Sequence, residues 1–123
     1  MTPATVRRWV RCYQKALRLD EWQVALECVP LPQLGTDETL GRIYPHYATM
    51  TATLEVATAR PDAAVKATLL HEMLHLATAD VCRVVRELDD QLPPGQWALL
   101  KAVFDTAEER LVVRLVRAFG EGA

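Results

Sequence analysis

Hydrophobic residues recur along the start of the chain at Val6, Trp9, Val10, Tyr13, Ala16 and Leu17. Steps of three and four put them on one side of a helix, and Thr2 followed by Pro3 is a pairing that opens one. Residues 3–18 are therefore expected to form an amphipathic helix. The period then changes to two. Trp22, Val24, Leu26 and Cys28 alternate with Gln23 and Glu27, which predicts a strand stopped by Pro30. Residues 30–41 hold two prolines, two glycines and an aspartate and read as a loop. Alternation returns with Met50, Ala52, Leu54 and Val56 on one face and Thr49, Thr51, Thr53 and Glu55 on the other, a half-buried β-branched strand.

Pro61 opens a second helical pattern, which runs through LLHEMLHLA at 69–77 to about Leu88. Leu92, Pro93, Pro94 and Gly95 interrupt it, and a last helix is expected from about Gln96 to Phe119, ended by Gly120. The order α-β-β-α-α predicts a small α+β fold over a single domain, 1–123. A short antiparallel sheet packs on helices, and the helix of residues 69–77 runs antiparallel to the C-terminal one.

Composition narrows the function. Half of the 123 residues are hydrophobic, enough for a core in one domain. A net charge of -2 gives no electrostatic footprint for nucleic acid or an anionic membrane. No apolar run is long enough to span a bilayer, and the N-terminus is too charged for a signal peptide. Cys12, Cys28 and Cys82 form no CxxC pair and read as buried free thiols in a reducing compartment, so a cytoplasmic location is expected.

The chemistry lies in the 69–77 stretch. Positions i and i+4 share a helix face, so His71 and His75 can hold one cation. Glu72 sits beside the first histidine, where its carboxylate can reach a water on that cation without binding the metal. HExxH thus offers two zinc ligands and a general base, and lacks the third ligand. The flanks, Leu69, Leu70, Met73, Leu74, Leu76 and Ala77, are apolar, and ionisable groups in such a segment are rarely left unpaired.

Two patterns supply a third ligand. In HExxHxxGxxH it stands six residues after the second histidine. Here that position is Val81, and the glycine position is Thr78; the same Val81 excludes the HGxxHxxGxDH pattern of rRNA-maturing endoribonucleases. Asp80 is one residue off. The other pattern brings a glutamate from a later helix, and TAEERLVVRL offers Glu108 and Glu109. If Phe104, Leu111, Leu115 and Phe119 define the apolar face, Glu108 falls inside it and Glu109 lies about 100° further round. The midpoint between His75 and Glu108 also falls within residues 90–95, where a helical hairpin would turn. Both arguments favour Glu108, with Glu109 in reserve.

HExxH in LLHEMLHL with a glutamate on a later helix resembles the zincin metallopeptidases, and the glutamate ligand resembles the gluzincin branch. The strand and helix order is similar to a stripped-down zincin domain of the kind often seen in small phage-encoded proteins. The resemblance implies zinc-dependent hydrolysis of peptide bonds in a peptide or protein substrate. His71, His75 and Glu108 would hold zinc, and Glu72 would be the base. Tyr44, His46 and Tyr47 lie just before the second strand, and Tyr47 and His46 are kept as candidates to steady the oxyanion. By the same resemblance the strand of residues 49–55 would be the sheet edge that pairs with substrate. The alternative is a zinc-binding interaction or assembly module without catalysis. The Glu72 carboxylate argues against it, because a structural site gains nothing from a non-ligand acid beside the metal.

Overall fold

The computed structural model describes residues 2–29 and 40–122, with side chains to 119 in the last helix. Most of the expected 30–41 loop lies outside the described residues. Helix α1 spans Pro3–Ala16, and the Thr2 hydroxyl caps it by accepting from the Thr5 amide at 3.2 Å. Val6 and Val10 are buried on its inner face. Gln14 then ties down the exit by donating from Nε2 to the Trp22 carbonyl at 2.8 Å.

Three strands form one mixed sheet in the order β1-β3-β2: β1 at Gln23–Val29, β2 at Gly41–His46 and β3 at Thr51–Ala57. β2 and β3 are antiparallel, with Ile43 opposite Leu54, while β1 runs parallel to β3, with Leu26 also opposite Leu54. This corrects the expectation of two strands in an antiparallel sheet. The unforeseen β2 makes the short hairpin to β3, with Met50 in the left-handed region at φ 53 in the connection. β1 is left with the other edge of β3, where it runs parallel. β3 is thus the central strand, paired on both sides, and cannot be the substrate-pairing edge expected of residues 49–55. The edge nearest the histidines is β2. Pro45 stands opposite Ala52. A residue without an N–H fits only if its nitrogen turns away from β3, so Gly41, Ile43 and Pro45 turn their backbone groups to the open side.

Helix α2, Asp62–Ala77, lies between two apolar layers. Val65, Leu69, Met73 and Leu76 pack with Val6, Val10, Trp22, Ala52, Leu54 and Val56. On another side Leu70 and Leu74 meet Val112, with Leu115 and Val116 alongside. Burial on two sides explains the nearly continuous apolar run around the histidines. Each fully buried aliphatic side chain contributes about 1.5–3 kcal/mol, so the stretch is held as a fixed platform.

The expected helix to about Leu88 is divided at Thr78. Helix α3, Ala79–Glu87, follows, then a 3₁₀ turn at Leu88–Asp90. The Thr78 hydroxyl lies 2.9 Å from the His75 carbonyl at the point of division. The chain keeps its helical path across the division, because the Thr78 and Cys82 amides still bond to the carbonyls of Leu74 and Thr78. The last helix, α4, spans Pro94–Gly122 and begins inside the expected break. Its inward stripe is Phe104, Glu108, Val112, Leu115 and Val116; Leu111 and Phe119 are exposed. The apolar face expected from Phe104, Leu111, Leu115 and Phe119 is therefore displaced, because the LVVRLV run is apolar on more than one side. Glu108 pairs with residues 75–82 and Val116 lies beside Ala67 and Leu70, so α4 runs antiparallel to α2.

The molecule is an α+β fold with four α-helices and a three-stranded mixed sheet among the described residues. None of the described helices is long and apolar enough to cross a membrane. Cys12, expected to be buried, is exposed, and Cys28 and Cys82 are half-buried; all three are free thiols.

Candidate metal centre

One turn of α2 separates His71 from His75, and their rings meet edge to face with centroids 4.9 Å apart. The two Nε2 atoms are 3.2 Å from each other. Glu109 reaches across from α4, with Oε1 3.1 Å from Nε2 of His71 and Oε2 3.0 Å from Nε2 of His75. One ligand atom from each of the three residues lies within 4.8 Å of the others, a set able to hold a metal ion.

The neighbouring glutamate has a different place. Glu108 Oε1 faces Nδ1 of His75 at 3.2 Å, on the far side of the ring from Glu109. Its Oε2 accepts from the Thr78 hydroxyl at 2.7 Å and the Cys82 thiol at 2.6 Å. The side chain of Glu108 is 15% exposed and that of Glu109 51%. The two acids that sequence left as alternatives are thus both at the site, one at each nitrogen of His75.

Electrostatics follow the burial. Desolvation pulls the His71 imidazolium below its ordinary pKa against the attraction of Glu109, and His75 adds to the lowering. The neutral imidazole is the form that binds a metal. Desolvation also pushes Glu108 up, but hydrogen bonds from Cys82 and Thr78 and the charge of His75 outweigh it, and the carboxyl lies below its usual range. Glu72 moves the other way. Burial raises it, with His75 opposing and Glu109 adding to the rise, so its carboxylate is more basic than usual.

Glu72 stands in the wall between two openings. One, of about 410 Å³, is lined by Gly41, Thr68, His71 and Glu72 among others. The other, of about 330 Å³, runs along β2 and also takes in Tyr47, His75, Arg86 and Glu108. Strand β2 passes close over the acid. A Cβ at Gly41 would stand 2.6 Å from Cγ2 of Thr68 and 3.3 Å from Cγ of Glu72. Glycine is required there by close approach.

Tyr47 lines the second opening and sits edge-on to Trp22 at 6.3 Å. Burial raises its hydroxyl pKa, with Arg86 opposing. Tyr44 also lines that opening, its hydroxyl 3.4 Å from Nη1 of Arg42. His46 is exposed at the end of β2 and lines neither opening. Asp80 is exposed in the first turn of α3. Sequence reasoning missed Gly41, Thr78 and Cys82. The last two had a signal, since His75, Thr78 and Cys82 follow one another at helical steps of three and four. Gly41 had none, because its role depends on how β2 crosses α2. No protein-family model matches the chain, and neither the curated proteins nor the solved structures contain a match.

Proposed function

We propose that the chain is a zinc-dependent peptidase of the zincin kind, with His71, His75 and Glu109 holding the metal and Glu72 acting as general base. The observation that carries this reading is the convergence of Nε2 of His71, Nε2 of His75 and the two carboxylate oxygens of Glu109 at 3.0–3.2 Å beside a half-buried, non-ligand carboxylate, Glu72. Ligands about 2.0–2.1 Å from a tetrahedral zinc are about 3.3 Å from one another. One atom from each of the three residues lies within 4.8 Å of the others, close enough to converge on the ion. The ligand role argued for Glu108 from helical phase passes to Glu109. Glu108 becomes the carboxylate behind a metal-binding histidine, which fixes the ring and raises its basicity.

Zinc, when bound, acidifies water and polarises a carbonyl. The rest falls to the chain. Glu72 takes the proton of the attacking water as the new C–O bond forms, and delivers it to the nitrogen as the C–N bond breaks. Its raised pKa suits a proton acceptor near neutral pH. Tyr47 is the better-placed donor for the oxyanion, since His46 lies away from the openings. The open side of β2 offers backbone groups to an extended peptide beside Glu72, the role expected earlier of the next strand.

The test is an unbiased peptide library digested by wild type and Glu72→Gln, with products read by mass spectrometry. Cleavage by wild type alone is the expected result. Loss of a general base typically costs about 10²–10⁴-fold. Equal cleavage by both proteins overturns the assignment of Glu72. Zinc bound without cleavage by the wild type would leave a non-catalytic zinc module as the reading.

A further inference from the structure

Glu108 is gripped by one stripe of donors. Oε2 receives the Thr78 hydroxyl at 2.7 Å and the Cys82 thiol at 2.6 Å, while Oε1 faces Nδ1 of His75 at 3.2 Å. The Thr78 hydroxyl has a second acceptor within reach, the His75 carbonyl at 2.9 Å. Its single proton goes to the ionised carboxylate, the stronger acceptor. A glutamate on a helix turns about several side-chain bonds. With Oε2 held from two sides, the carboxylate plane is set and Oε1 is aimed at the imidazole.

We propose that Thr78 and Cys82 are positioning residues for the metal centre. By clamping Oε2 of Glu108 they fix His75 in the tautomer that carries its proton on Nδ1 and turns a bare Nε2 toward His71 and Glu109. The inference rests on the metal-site reading above and extends it to what sets a ligand's tautomer. Glu109 Oε2, 3.0 Å from Nε2, competes for the same proton; the clamped Glu108 draws it to Nδ1, so the Nε2 lone pair is offered to an ion for more of the time than in a ring whose Glu108 is loose. The division of the helix at Thr78 belongs to this arrangement, since it is the hydroxyl of the dividing residue that reaches α4. Cysteine suits the second position because its thiol keeps its proton: burial, then the hydrogen bond to Glu108, pushes it up to about 11.

The experiment uses full-length, metal-free protein with ¹⁵N-labelled histidine. Long-range ¹H–¹⁵N spectra should show His75 protonated at Nδ1 in wild type. In Thr78→Val/Cys82→Ala the two tautomers should mix, and zinc affinity, measured by competition with a chelating dye, should fall about tenfold or more. Thr78→Ser, which keeps the hydroxyl, and Cys82→Ser, which replaces the thiol donor with a hydroxyl, should retain both wild-type signals, an outcome that loss of packing alone does not give. Circular dichroism checks each fold, and single Thr78→Val reads the same signals if the double variant does not fold. A double variant with wild-type tautomer and wild-type affinity overturns the proposal. If the wild type binds no zinc, the metal reading fails, while the tautomer spectra still decide the clamp.

Discussion

Oε2 of Glu109 stands 3.0 Å from Nε2 of His75, although its side chain is half exposed and lies outside the buried stripe of α4. A helical wheel puts such a residue in solvent. Here the flank of α4 rises over the seam with α2, where the histidines open outward. On the proposed reading, exposure of one ligand suits a site open to substrate.

The two glutamates should therefore separate in a zinc titration. Glu109→Ala removes a ligand and should abolish tight binding. Glu108→Gln leaves the three ligands in place and should weaken binding about 10–100-fold, as loss of an outer partner does. Chelator competition measures both. Abolished binding in Glu108→Gln with near-normal binding in Glu109→Ala would reverse the two roles.

Gly41→Ala should act through sterics alone. The added Cβ meets Cγ2 of Thr68 at 2.6 Å, and the Thr68 hydroxyl is tied to Arg60 at 2.9 Å and to the Ala64 carbonyl at 3.1 Å, so little can yield. A cost of about 1–3 kcal/mol is expected in urea denaturation. Zinc should still bind, since the substitution touches none of the three ligands. Unchanged stability would mean that β2 does not pass close over Glu72.

Native-state alkylation should distinguish the thiols. With a pKa of about 11, Cys82 exposes about one thiolate in a thousand at pH 8, and it is half-buried as well. Iodoacetamide should label exposed Cys12 well before Cys82, and the Cys82 rate should rise about tenfold for each pH unit between 8 and 10. Mass spectrometry of the labelled peptides reads both. Fast labelling of Cys82 at pH 8 in folded protein would contradict its hydrogen bond to Glu108.

Much of this site is legible in the sequence because helical spacing is local. His71, Glu72 and His75 share a turn, and a glutamate on an apolar stripe pointed to α4. What spacing cannot supply is which side of a facing helix meets which nitrogen. Glu108 and Glu109 differ by one step of rotation, and the stripe used to choose between them contained Leu111 and Phe119, which are exposed. Strand β2 escaped for another reason. GRIYPH carries a glycine and a proline that normally mark loops, and both are tolerated because the strand lies at an edge and close to α2. The parallel pairing of β1 followed from that omission, since it depends on which strand claims the hairpin to β3.

The most direct test of the account is the zinc content of purified protein, measured by elemental analysis for wild type, His71→Ala and Glu72→Gln, with circular dichroism to confirm that each is folded. About one zinc per chain is expected in wild type and in Glu72→Gln, and none in His71→Ala, as for a mononuclear site with three protein ligands. Full zinc in His71→Ala, or none in folded wild type supplied with the metal, would contradict it.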